Sequence, residues 1–216
     1  MAQKSNGFYN LLKISYLYDL IQKAFGANRM LAHLANDIIE PFENARVLDI
    51  GCGTGTIRKF LPKNIYYTGF DLNSNYITIA KKKYRNYPNT RFIIGDLNTI
   101  PPIEKENYDI ILLVSVLHHI SDFEAKNLIS SLPEFLKNTG GMIVSYDPVL
   151  IPYQNHFSKF LMKIDRGNYI RDEKKYITLF DNYFKIESVY SDVVSFSYPV
   201  LIIKATSFME GKHAKE

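Results

Sequence analysis

Residues 49 to 55 read Asp-Ile-Gly-Cys-Gly-Thr-Gly, an acidic residue followed by glycines at every second position. The apolar residues Val47, Leu48 and Ile50 around the aspartate predict a buried strand that runs into a turn. Glycine has no Cβ and tolerates positive φ, so this spacing lets the backbone pass very close to a bound ligand. Asp49 places a carboxylate at the carboxyl end of the strand, where open α/β sheets bind their ligands. Two phosphate-binding readings fail on the spacing. The dinucleotide fingerprint is Gly-x-Gly-x-x-Gly, and Thr56 stands where its third glycine belongs. Asp49 would also repel a pyrophosphate. A P-loop needs Gly-Lys-Ser/Thr, which does not follow. The carboxylate suits a cationic group instead, such as the amine of an amino-acid moiety.

Further segments follow in a consistent order. Tyr66–Asp71 reads as a second strand ending in an acidic residue, roughly 20 residues after the turn, where a ribose-binding carboxylate is expected. Arg91–Asp96 reads as a third strand, again ending in Asp. Tyr108–Val114 is continuously apolar after Asp109, as a strand covered on both faces should be. Asn138-Thr139-Gly140-Gly141 then leads into a fifth strand from Met142. Together, Val47–Asp147 resemble the class I S-adenosylmethionine (SAM)-dependent methyltransferases, whose first motif is Asp-x-Gly-x-Gly-x-Gly and whose fifth strand follows a Pro-Gly-Gly turn. The proline of that turn is absent here. The resemblance covers about half the chain.

That resemblance implies SAM as cofactor and S-adenosylhomocysteine (SAH) as product. It assigns the turn residues Asp49, Gly51, Cys52, Gly53 and Gly55 to the cofactor. Asp71, with Leu72 beside it, would take the ribose. Asp96 would accept from the adenine amino group, with Leu97 at the ring edge, and Ser115 would follow the fourth strand at the cofactor. The implied fold is α/β: a Rossmann-like, seven-stranded, mostly parallel sheet with an antiparallel last strand between the fifth and sixth, and helices on both faces.

Methyl transfer from a sulfonium needs alignment of acceptor, methyl carbon and sulfur, and exclusion of water. A base is needed only where the acceptor must lose a proton. His118 and His119, directly after the fourth strand, are the candidates, since histidine exchanges protons near neutral pH. Ser115–Ile120 is similar to a segment of small-molecule methyltransferases. The alternative is that one histidine bonds the backbone while the other packs. Tyr146, Asp147 and His156 fall at or beyond the end of the fifth strand and are candidate acceptor contacts. Arg166 and Arg171 could bind a carboxylate or phosphate of the acceptor bidentately, or pair with Asp165 and Asp172. No metal is invoked. The Asn/Asp-Pro-Pro-Tyr/Phe motif of base-amino and glutamine N-methyltransferases is replaced by Ser115-Val116-Leu117-His118, and Pro101-Pro102 comes too early to substitute.

The elements that must position these residues follow from periodicity. Phe8 to Phe25 is apolar all round and predicts a covering helix, from which Tyr9, Tyr16 and Tyr18 could reach the cofactor. Asn28 is the expected cap of a second helix with Met30, Leu31, Leu34 and Ile38 inward, ended by Pro41. Arg29 on it reads as a cofactor contact or a surface ion pair. Ser74 is the expected cap of a helix that buries Ile77, Ala80 and Tyr84. Ser121-x-x-Glu124 predicts a capping box, and Pro133 a kink or break further on. Helix Glu173–Asn182 and strands Phe184–Asp192 and Tyr198–Thr206 complete the sheet. The chain is expected to form one domain: a helical cover over 1–42, a cofactor core over 43–147, a substrate cap over 148–175 and the end of the sheet over 176–209.

The 216 residues are 46% hydrophobic with a formal charge of +4, which suits one buried core and no large basic surface. Lys81-Lys82-Lys83-Tyr84-Arg85 reads as a solvated helix face, and nucleic acid is disfavoured as a partner. No run of 18 apolar residues or signal-like N-terminus appears, and the lone Cys52 forms no internal disulfide; together these predict a cytoplasmic protein. The apolar N-terminal segment offers a surface for a homodimer. Methylation of a small-molecule acceptor at oxygen, nitrogen or carbon is the favoured function. A macromolecular acceptor (protein or RNA) and a non-catalytic SAM-binding protein are the alternatives.

Overall fold

A computed structural model of the chain describes residues 27–96, 108–137, 140–154, 156, 158–159, 162, 168–193 and 198–208. The segment Phe8–Phe25, Leu97, Pro101-Pro102, Asn138-Thr139 and Arg166 lie outside the described residues. The strands are β1 (Arg46–Ile50), β2 (Tyr66–Asp71), β3 (Thr90–Ile94), β4 (Ile110–Val114), β5 (Met142–Leu150), β6 (Arg171–Asp172), β7 (Phe184–Val193) and β8 (Pro199–Ser207). They form one sheet in the order β3-β2-β1-β4-β5-β8-β7, with the two-residue β6 beside the end of β5. β1 to β5 are parallel, and β8 runs antiparallel between β5 and β7. The fold is therefore the expected Rossmann-like one, with β6 as a short addition.

Alternation along the central strands divides the core in two. Leu48, Ile50, Ile111, Leu113 and Ile143 face one side, where they meet α3 (Asp122–Ser131) and α4 (Glu173–Phe180) through Ala125, Ile129, Leu179 and Phe180. Val47, Tyr67, Ile110, Leu112 and Val144 face the other. There they meet α1 (Ala27–His33, continued by a π-helical turn Leu34–Ile39) and α2 (Ser74–Lys83) through Leu34, Ile38, Ile77 and Ala80. Covering on both faces explains why β1 and β4 read as near-continuous apolar runs.

Local signals set the helix ends, with two corrections. Asn73, not Ser74, is the N-cap of α2; its side chain accepts from the amides of Asn75 and Tyr76, the role short polar side chains favour before a first turn. Asn28 lies within α1, and its side-chain oxygen accepts from the Lys59 ammonium at 2.7 Å instead of capping. The Ser121–Glu124 capping box forms as expected, and Pro133 falls in a separate 3₁₀ turn, Leu132–Phe135, after α3. Glu40, at φ 43°, stops the helical path just before Pro41. β5 continues past Asp147 to Leu150; its pairing with β4 ends at Tyr146, so the missing amide of Pro148 costs that ladder nothing.

Arg58, just after the glycine turn, is fully buried without a carboxylate partner among the described residues. Its guanidinium donates to the carbonyls of Leu61 and Pro62 and to the Thr90 hydroxyl, and lies over the rings of Tyr67 and Tyr87. One side chain thus closes the loop between β1 and β2.

Candidate functional site

The strand order reverses between β1 and β4, the switch point at which open α/β sheets leave a crevice. Parallel register brings the carboxyl ends of β1 to β5 into one row: the glycine turn, Asp71, Gly95–Asp96, Ser115 and Asp147.

The turn is tied to β2. The amide of Cys52 donates to the carbonyl of Phe70 at 2.9 Å, and the amide of Gly53 to Asp71 Oδ2 at 2.9 Å. Asp71 Oδ1 accepts from the amide of Asn73 at 2.8 Å, so the carboxylate is held from two sides. Gly51 and Gly53 both have positive φ, 70° and 53°. A Cβ on Gly51 would come within 2.7 Å of Val116 Cγ2, whereas one on Gly53 would meet no atom within 4 Å. Gly51 is therefore required by packing against the loop after β4, and Gly53 presents its backbone to open space. Gly55 accepts from the Tyr84 hydroxyl on the inner side of the turn. Cys52 is buried, with its thiol pushed well above the ordinary range by that burial, which suits a packing residue.

Asp49 is 1% exposed. Tyr67 donates its hydroxyl to Asp49 Oδ2, while Oδ1 has no hydrogen-bond partner among the described residues. Burial pushes the Asp49 carboxyl up to about 7, the Tyr67 hydrogen bond pulls it down and the nearby Asp71 carboxylate raises it. A buried acceptor left over in this way matches a cationic N–H group from a ligand, as does the open space at Gly53. Leu72 is 75% exposed beside Asp71, and Ile94 at the end of β3 is 52% exposed; both offer apolar surface for a flat ring. Asp96 follows Gly95 and is also exposed. The residues fit SAM. Nothing in the sequence sets Tyr67 apart from the other residues of its strand; only the register, which sets Asp49 opposite Gly69, puts its ring on the aspartate's side of the sheet.

On the other side of the switch point, Ser115 leaves β4 with φ 60°, a left-handed conformation uncommon for serine, and its amide donates to the carbonyl of Tyr146 at 2.7 Å. His118 is buried. Its Nδ1 lies 2.7 Å from Asp147 Oδ1, and its own amide donates to the same oxygen at 3.1 Å. The pair is almost inaccessible, at 1% and 2% side-chain exposure. Asp147 was an expected acceptor contact; instead it is the partner of His118, with its carboxyl raised by burial and lowered by the histidine. His119 is exposed, its ring 3.9 Å from that of His118.

Tyr146 is half-buried and packs on a small apolar cluster of Met30, Met162, Tyr198 and Val200. His156 is exposed. Arg171 departs from the expectation that it binds an acceptor anion or pairs with Asp172. It is 4% exposed and turned inward, with Nε on Asp122 Oδ1 at 2.7 Å and its Nη atoms on the carbonyls of Leu117, Tyr169 and Ile120. No group of His, Cys, Asp or Glu among the described residues is arranged to hold a metal ion. No helix among the described residues is long and apolar enough to cross a membrane.

Residues 47–140 match the family described as a methyltransferase domain. The fold is the one that the resemblance to class I SAM-dependent methyltransferases implies. SAM is the cofactor of this class. The chain is 26% identical over 156 residues, 67% of its length, to the hybrid PKS-NRPS synthetase fsa1 of a Fusarium species, of which it spans 4%. It is 28% identical over 159 residues to the ubiquinone/menaquinone biosynthesis C-methyltransferase UbiE of Wigglesworthia glossinidia brevipalpis, covering 70% of this chain and 60% of that one. The fold is similar to that of geranyl diphosphate C-methyltransferase from Streptomyces coelicolor A3(2), solved with S-adenosyl-L-homocysteine. That likeness has a TM-score of 0.65 at 16% identity and covers 83% of this chain and 76% of the other.

The geometry at Gly53 yields a direct test. Gly53→Ala should still fold, at a cost of roughly 1–2 kcal/mol for the left-handed backbone, because its Cβ meets no other atom. It should weaken SAM binding at least tenfold in calorimetry. A dissociation constant within twofold of the parent would mean that this turn does not face the donor.

Proposed function

We propose that the chain transfers the methyl group of SAM to a small-molecule acceptor held over the carboxyl ends of β4 and β5. The observation that carries this reading is the division of labour across the switch point. Groups suited to the donor sit at β1 to β3, while an exposed histidine follows β4 and a buried apolar cluster lies against Tyr146 of β5. On the donor side, Asp49 takes the amine, Asp71 the ribose hydroxyls, and Leu72 and Asp96 the adenine. The donor supplies an activated methyl group on a sulfonium. Tyr146 and the Met30–Met162–Tyr198 cluster exclude water and favour an apolar acceptor. His119 takes a proton from an acceptor that must lose one. The C-methyltransferase named among the relatives supports carbon as the accepting atom.

Calorimetric titration with SAM and SAH tests the donor half. Absence of binding or of a melting shift at hundreds of micromolar, where a micromolar binder gains about 2.7 kcal/mol, would overturn it. Methyl-tritiated SAM offered with apolar phenols, hydroquinones and β-dicarbonyl compounds, and separately with peptides and RNA, tests the acceptor half. Label should enter the first group; label only in peptide or RNA would sink the small-molecule reading.

A further inference from the structure

Residues 116–121 form a short loop whose backbone is held at nearly every carbonyl. Val116 O accepts from the amide of His119 at 3.0 Å, and Ser121 O from that of Ala125 at 2.8 Å. Leu117 O and Ile120 O accept from the two Nη atoms of Arg171, at 2.6 and 2.9 Å. His118 O accepts from the amide of Tyr169 at 3.0 Å. Asp147 holds both the amide and Nδ1 of His118 from beneath. The clamp therefore comes from two places far away in sequence: the end of β5, and the strand β6 with the residues just before it. β6 is itself fastened to β5 at Val149 and Leu150.

We infer that Arg171 is a positioning residue for the proposed reaction. Together with Asp147, it fixes the 117–120 loop so that His119, its ring tilted at 41° against that of His118, stands at the acceptor side of the sheet. This rests on the assignment of His119 to the acceptor made above. The chemistry favours arginine specifically. A buried guanidinium presents donors in a rigid fork, and here that fork reaches three carbonyls and one carboxylate at once; an ammonium in the same place cannot span them. The charge is balanced by Asp122, whose side chain is 73% exposed, so the anion remains largely hydrated while the cation organises the loop. The arginine's ring-side neighbour is Tyr176, with the guanidinium carbon 5.7 Å from the ring centroid. Tyr176 is anchored in turn by its hydroxyl on the carbonyl of Pro148 at 3.0 Å. A residue expected to touch the acceptor thus acts one step behind it.

The test is a spectroscopic signature of His119 that general stability does not move. In ¹H–¹³C imidazole spectra, His119 carries a ring-current displacement from His118, whose centroid lies 3.9 Å away. In Arg171→Lys, which keeps the charge and loses the fork, the His119 signal should lose ring-current displacement and move toward the value of a histidine with no ring beside it by more than its linewidth. His33 and His156, on other elements, should not move. Asp122→Asn, a milder change at an exposed side chain, should shift His119 in the same direction by less, and it carries the test if Arg171→Lys does not fold. A His119 signal unchanged in the folded variant, or a shift shared equally by His33 and His156, overturns the proposal. SAM titrated into the parent protein is read separately. Failure to bind would remove the cofactor reading and leave the comparison of His119 signals intact; with SAM bound, its affinity should be within twofold in parent and variant.

Discussion

Asp49→Asn should make the free protein more stable at pH 8 and a poorer binder of SAM. The Asp49 carboxyl titrates near an ordinary 3.8 in the unfolded chain and about 7 in the folded one, chiefly because burial penalises its charge. Between those values the unfolded chain has released the proton and the folded chain still holds it. Stability from this group is therefore full below about 4, falls as pH rises through the window, and reaches its minimum above about 7. The difference corresponds to roughly 3–5 kcal/mol. Asparagine cannot ionise and keeps an oxygen for the Tyr67 hydroxyl, so the variant should recover much of that amount at pH 8 and little at pH 4. Urea unfolding of both proteins at the two pH values measures it; an advantage equal at both, or absent at pH 8, would contradict the assignment. The same ionisation should serve the donor. A charge-assisted hydrogen bond contributes about 1.5–3 kcal/mol, so the variant's SAM affinity should drop by about tenfold or more. Parent affinity should climb as pH rises through 7, when the carboxylate becomes available to the amine.

The second large effect lies at the buried pair. His118→Ala should cost about 3–5 kcal/mol at neutral pH, because it strands a buried carboxylate without its partner and opens a cavity beside it. Asp147→Asn retains an oxygen for both His118 bonds and should cost less than half as much, measured by the same unfolding experiment. Equal losses would mean that the pair is held by packing and not by charge. Both variants should leave SAM binding nearly unchanged, since neither residue is among those proposed to hold the donor.

The turn and acidic strand ends proposed for the donor were legible in the sequence because they are local. The glycine turn, Asp71 and Asp96 each close a strand whose period and apolar run mark it, and short motifs report on short-range backbone geometry. What lay hidden depends on register and distance. His118 and Asp147 are 29 residues apart and meet because Val114 pairs with Tyr146, which no periodicity specifies. In the sequence Arg171 reads as a binder of an acceptor anion or as a partner of Asp172; its actual partners, Asp122 and the carbonyls of Leu117 and Ile120, are brought to it by β6 lying on β5. The Ser74 error is smaller in kind. Asparagine and serine are nearly equal as caps, so adjacent candidates cannot be separated by preference alone.

The reversal of strand order between β1 and β4 has an evolutionary consequence. The residues proposed to face the donor fall in one contiguous stretch, 49 to 96, and those proposed to face the acceptor after β4 and on β5, His119 and Tyr146, in another. A single recombination point between them could exchange one repertoire without disturbing the other. Lineages that share this architecture can then keep a fixed currency of methyl groups while the recipients diversify. The main seam to be matched is where Val116 closes on Gly51, a contact with no room for a Cβ.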